Sequence, residues 1–138
     1  MSTTASISLS SDITGDNLSL SSRATLNKAG SNSTNLDQFT GINTIQYATT
    51  QSAITLIAEA DYVDTNVAHK IYIRNASKST SCFVLVDVDS TSNEPMGRLY
   101  YNDWCFFPWM GTKDIDITTN EVGMTVEFAV ISQSVAST

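Results

Sequence analysis

Reactive groups are scarce in this chain of 138 residues, and they bound the chemistry within reach. There is one histidine, His69, so a multi-histidine metal site is not available within one copy. Cys82 and Cys105 lack the Cys-x-x-Cys spacing of redox or zinc motifs, and they read as two small buried thiols in a reducing compartment. Oxygen ligands gather in Asp87-Val88-Asp89-Ser90-Thr91-Ser92-Asn93-Glu94. Calcium accepts such a set, but the central Gly and the offset Glu of an EF-hand loop are missing. Asp114 and Asp116 fall on one strand face. Glycoside hydrolysis would need a cleft around them and one raised acid, whereas a solvated strand face calls for the same letters. The expectation is no catalytic residue, no cofactor and no metal.

The densest feature is aromatic. Leu99-Tyr100-Tyr101-Asn102-Asp103-Trp104-Cys105-Phe106-Phe107-Pro108-Trp109-Met110-Gly111 holds two Trp, two Phe and two Tyr in a chain that is 9% aromatic. Each large ring can bury ~150–250 Å². Pro108 has no amide hydrogen, which bars an ordinary central strand throughout. Two arrangements follow. In one, Trp104 and Phe106 face the core while Tyr101 and Phe107 cap the edge. In the other, Phe107, Pro108 and Trp109 protrude as a hydrophobic tip that docks on a partner or sister subunit, because rigid rings bury area at small entropic cost.

These residues need a scaffold, and period-2 alternation supplies it. Leu18, Leu20, Ser22, Ala24 and Leu26 fall on one face, with Ser19, Ser21 and Arg23 on the other. His69 to Asn75, Lys113 to Thr118, and Met124, Val126, Phe128 and Val130 against Thr125, Glu127 and Ala129 alternate in the same way. Cys82 to Val88 is nearly continuous apolar, as a strand covered on both faces should be. Ala53 to Tyr62 has some helical period, but its β-branched start favours a strand. Polar turns stand at Thr14–Asn17, Lys28–Gln38, Ala60–Ala68, Ser90–Pro95 and Thr119–Gly123. The expectation is an all-β chain: an antiparallel β-sandwich or jelly-roll-like domain of about eight short strands over 13–138. Residues 1–12 form an arm or edge strand, from which Ile7, Leu9 and Ile13 would add to a neighbour.

Composition narrows the partners. Seven Lys+Arg against 14 Asp+Glu give a net charge of −7, which repels phosphate backbones and makes nucleic acid a poor partner. Charged residues are 15% of the chain, against the ~25% usual for soluble domains. Ser, Thr and Asn carry the polarity instead. No apolar run is long enough to span a bilayer, so a membrane is not expected as a partner. Met1 to Ser11 lacks the basic start and apolar stretch of a secretory signal, which points to synthesis in a cytoplasm. Asn17, Asn32 and Asn75 each open a glycosylation triplet, as a Ser/Asn-rich chain does by chance.

The chain resembles small virion structural proteins of tailed bacteriophages, capsid decoration (cement) proteins in particular. The resemblance rests on the Ser/Thr-rich start from Met1 to Ser22 and on the strand Ile71-Tyr72-Ile73-Arg74-Asn75-Ala76-Ser77 followed by Cys82-Phe83-Val84-Leu85-Val86. It rests also on Asp103-Trp104-Cys105-Phe106-Phe107-Pro108-Trp109 before two closing strands. It implies a virion location after assembly in the host cytoplasm. It also implies a homo-oligomer, a trimer by preference, bridging neighbouring copies of the major capsid protein or other virion proteins. The interface residues expected are Tyr101, Phe107, Pro108, Trp109, Ile7 and Leu9. A tail or fibre-adaptor subunit is the neighbouring expectation. A carbohydrate-binding module, with Tyr100, Tyr101, Trp104 and Trp109 stacking on sugar rings, is the expectation from another class.

Overall fold

Side-chain alternation is the local cause of most elements, and turn residues decide where each one stops. A computed structural model of the chain describes residues 3–12, 18–26, 36, 38–62, 69–92 and 95–132. Strands β1 (Thr4–Ser11) and β2 (Leu18–Thr25) are followed by β3 (Gln38–Phe39), β4 (Asn43–Tyr47), β5 (Ile54–Ile57) and β6 (His69–Asn75). Then come β7 (Val84–Val88), β8 (Gly97–Leu99), β9 (Trp104–Trp109), β10 (Ile115–Thr119) and β11 (Met124–Ser132). The expected turn at Thr14–Asn17, Ile13, the triplet at Asn32 and most of the loop Lys28–Gln38 lie outside the described residues.

The protein is all-β, and every strand pair is antiparallel. One sheet runs β5-β10-β7-β8. The other runs β3-β11-β6-β9, with β4 also on β11. Taking β4 to β11 in order, the chain crosses from sheet to sheet at each connection except the β7–β8 hairpin. Eight strands wound in this way make a jelly roll. The expected β-sandwich or jelly-roll-like domain is therefore present, but not all of its strands are the ones read from sequence. Strands β4 and β8 went unrecognised, while β1 and β2 belong to a separate two-stranded sheet.

β3 and β4 lie end to end along β11. Gly41, at φ +80, turns the chain between them, a left-handed conformation that L side chains rarely adopt. Thr40 fastens the joint by donating its N–H to Val130 O and accepting Val130 N–H on Oγ1.

The core lies between the two sheets. Ile71, Ile73, Met124, Val126 and Val130 meet Ile57, Val84, Val86, Ile115 and Ile117 from the other side. Full burial of one such side chain contributes roughly 1.5–3 kcal/mol. Asn75, at the end of β6, is fully buried and ties the layers together. Its Nδ2 donates to Leu99 O of β8 at 3.0 Å, and its Oδ1 accepts Ser77 N–H at 3.1 Å. The Asn75 triplet is therefore a buried turn and not a sugar acceptor.

Two substitutions check this core by urea or thermal denaturation. Ile73→Ala should destabilise by about 2–5 kcal/mol through a cavity between the sheets. Asn75→Ala should cost about 1–3 kcal/mol by orphaning buried backbone groups. Val122→Ala, at a side chain 70% exposed, should stay within about 0.5 kcal/mol of the parent.

Candidate functional site

The register around β6 decides which side chains reach solvent. Residues opposed across antiparallel strands point to the same face. His69, Ile71, Ile73 and Asn75 face the core, and with them Trp109, Phe107 and Cys105 of β9, opposite His69, Ile71 and Ile73. The outer face carries Lys70, Tyr72 and Arg74, opposed by Pro108, Phe106 and Trp104. β11 continues those outer rows with Ile131, Ala129 and Glu127, and β3 adds Phe39 opposite Ile131. One sheet face exposed to solvent is thus largely apolar. Its polar margin is the cross-strand pair Arg74–Glu127 at 3.6 Å, with Arg74 also donating to Asn102 Oδ1 at 3.0 Å. Tyr72 stands on this face with its phenol pushed above the ordinary range by burial and by the Glu127 charge.

Over this face stands the β1–β2 hairpin. Its register places Ala5 opposite Ala24, Ile7 opposite Ser22 and Leu9 opposite Leu20 on one side. Ser6 opposite Arg23, Ser8 opposite Ser21 and Ser10 opposite Ser19 take the other. Between hairpin and sheet lies a groove of about 1020 Å³. Ala5, Ile7, Leu9 and Ala24 form one wall; Phe39, Ile42, Tyr72, Trp104, Phe106 and Ile131 contribute to the other. Several of these side chains remain exposed: Ile7 37%, Leu9 44%, Phe39 56%, Ile42 63%, Trp104 50% and Phe106 38%.

The aromatic segment needs a correction on both expected arrangements. Trp104 and Phe106 do not face the core; they face outward into the groove. Trp109 and Phe107 do not protrude. Trp109 is 6% exposed, its ring 5.4 Å from those of Tyr62 and His69, with Nε1 donating to Lys113 O at 2.9 Å. Phe107 is half-buried against the core cluster. Gly111 lets this corner close: its φ is +75, and an added Cβ would lie 3.0 Å from the His69 ring. Pro108 is exposed, and β9 can hold it because β9 is the sheet's edge strand. Tyr101 is exposed in the turn before β9. Of the six expected interface residues, Ile7 and Leu9 come together in the groove, Tyr101 and Pro108 are exposed beside it, and Phe107 and Trp109 are turned away. With Trp109 buried, the expected four-ring sugar platform is also incomplete.

Among the described residues, Asp87 and Asp116 are the ionisable candidates that meet across a strand pair. Asp114 accepts Glu59 N–H on Oδ1 at 2.8 Å and the Thr55 hydroxyl on Oδ2, which fastens the end of β5 to the start of β10. Asp116 is not the solvated acid that alternation suggests. It is 5% exposed, opposite Asp87 at 8%, and accepts Ser90 N–H at 3.0 Å. One oxygen of each acid has no hydrogen-bond partner. Asp89 bonds Lys113 at 2.9 Å and accepts from Thr91, and both contacts hold its carboxyl below the usual range. Among the described residues no three His, Cys, Asp or Glu side chains are placed to hold a metal ion. Nor is any described helix long and apolar enough to cross a membrane. Cys82 and Cys105 are unpaired thiols, and burial pushes Cys105 up to about 11.

Sequence reasoning passed over Phe39, Ile42, Tyr72 and Ile131 as members of a surface. The usable signal was Ala129 and Ile131 on the second face of β11, beside Tyr72 of β6. Comparison with protein-family models, curated proteins and solved structures finds no match for the chain.

Two measurements check the site. In single-tryptophan variants, Trp104 should be readily quenched by acrylamide and Trp109 shielded; equal quenching would mean a slipped β9. The Cys105 thiol is favoured in its neutral form by the fold, so its alkylation by iodoacetamide should rise only as pH approaches about 11. The sign for stability follows: the contribution is complete below the ordinary thiol range and is lost as pH climbs through about 11. Cys105→Ala should remove that loss.

Proposed function

We propose that the chain is a non-enzymatic structural subunit whose work is to bury its open apolar surface against neighbours in a larger assembly. In its specific form it is a capsid decoration (cement) protein that binds and stabilises a phage head. The observation that carries this reading is the groove of about 1020 Å³, whose large apolar side chains stay exposed on an otherwise polar, acidic chain. Monomeric proteins rarely leave contiguous apolar patches of more than a few hundred Å² open unless something covers them. The jelly-roll winding agrees with the reading, since viral capsid and lectin domains both use it, but fold alone does not assign function.

The mechanism is repeated contact. A lattice presents many identical sites, so modest patches on an oligomer gain through effective concentration once the first has bound. Major capsid protein or another virion protein is then the partner. The acidic Ser/Thr-rich remainder keeps the particle soluble and repels the packaged nucleic acid. A tail or fibre-adaptor subunit would use the same surfaces in the same way.

One observation favours a second reading. Tyr101 and Trp104 are 42% and 50% exposed, with Asn102 and Asp103 between them, a set that sugar-binding modules use for stacking and hydrogen bonding.

Co-sedimentation with emptied, expanded phage heads separates the two. The assembly reading expects saturation at a fixed number of copies per capsid subunit. It also expects a loss of about 30-fold or more in affinity for Trp104→Ala, the cost of an interface anchor. Glycan binding that Trp104→Ala abolishes, with no affinity for any head or tail particle, would replace it with the sugar-binding reading.

A further inference from the structure

The hairpin and the sheet face beneath it have matching character, yet they stand apart within one chain. Resting on the reading of the chain as an assembly subunit, we infer that β1–β2 is an exchange arm. Its apolar face lies on the outer face of the β3-β11-β6-β9 sheet of a second copy, and the groove is where that second arm is received.

Four observations carry this. The first is that, among the described residues, β1 and β2 pair only with each other, and no ladder joins them to either sheet of the jelly roll. An isolated two-stranded hairpin is marginal in water and needs a surface to lie on. The second is amphipathicity: the eight-pair ladder puts Ile7, Leu9, Leu20 and the alanines on one side, with Ser22 and Ser11 among them, and Arg23 with the remaining serines and threonines on the other.

The third is area. Ile7, Leu9 and Leu20 on the arm are 37%, 44% and 45% exposed, and Phe39, Ile42, Trp104 and Phe106 on the sheet side are 56%, 63%, 50% and 38% exposed. These seven side chains, each more than a third exposed, are apolar area that a second copy would cover, towards the ~800 Å² per partner of a standard stable interface. The fourth is charge. The chain carries −7, yet the formally charged residues lining the groove are Lys70 and Asp103, one of each sign. A second copy therefore meets no excess of like charge at this surface, and little charge has to be desolvated.

A second copy is the occupant because arm and floor are both carried by the same chain. Each copy offers what the other lacks, which is the self-complementarity that closed homo-oligomers require.

The test is complementation, read by light scattering after size exclusion. Ile7→Thr with Leu9→Thr removes the arm's apolar side while keeping β-branched residues in the strand. Trp104→Thr with Phe106→Thr does the same to the floor. None of the four positions belongs to the buried core cluster, so circular dichroism should report an intact fold in both variants. Should the floor variant unfold, Phe39→Thr, at an exposed edge position, replaces it.

The wild type should be a discrete oligomer. Each variant alone should be monomeric, with a dissociation constant raised by about 100-fold or more. The two variants mixed should recover a heterodimer held by one intact arm on one intact floor. A wild type that stays monomeric, or a mixture that does not associate, would overturn the inference and would mean that the hairpin serves its own chain. Head binding is scored separately. A monomer that still decorates particles sinks the exchange arm alone, and an arm-exchanged oligomer that binds no particle sinks the assembly role alone.

Discussion

The pairing of β6 with β9 on one side and β11 on the other is the constraint on which the rest depends. Side-chain direction in a strand has a period of two, so a slip of one residue would send Ile71 and Ile73 to solvent and Lys70 and Arg74 to the core. Burying an unpaired cation costs far more than one buried aliphatic side chain returns, so the register is strongly specified. Asn75 adds a polar lock at the end of the strand. Its hydrogen bond to Leu99 O joins the two sheets and has no equivalent one residue away. Once this register is set, Trp109 enters the Tyr62–His69 corner and Trp104 and Phe106 have nowhere to point but outward.

How much of this was legible in the sequence depended on whether a strand had one apolar face or two. β2, β6, β10 and β11 carry clear alternation, and they lie where the alternation places them. β9 does not alternate. Trp104, Phe106 and Pro108 on one side and Cys105, Phe107 and Trp109 on the other are all apolar, so hydropathy alone could not choose the inward set. Pro108 was the sounder guide: it excludes a central strand, and β9 is an edge. The two short segments β4 and β8 hold too few apolar residues to announce themselves, and neighbours in space rather than in sequence make them strands. Asp116 failed for a related reason. Its strand position looks solvated, yet β10 is an inner strand and the turn at Ser90 folds over it.

The groove was half legible. Ile7 and Leu9 stood out as an apolar stripe in a hydroxyl-rich arm, and the arm was expected to meet a neighbour. What the letters could not supply was the opposite wall, assembled from β3, β6, β9 and β11, segments up to some ninety positions apart. A surface of this origin needs no reactive group to act. Its energy is the area removed from water, its selectivity the match of apolar rows and the near absence of charge. The scarcity of histidine and the structural employment of Asp114 and Asp89 belong to the same picture, in which ionisable side chains hold turns together while aromatic and aliphatic ones are left facing out.

The sharpest test of this account is the inter-strand proton contact pattern of β6 and β9 by nuclear magnetic resonance. The account predicts backbone contacts that pair Tyr72 with Phe106 and Arg74 with Trp104, with Ile73 opposite Cys105. A pattern displaced by one residue, pairing Ile73 with Phe106 or Trp104, would turn the aromatic rows into the core and remove the surface on which the functional argument stands.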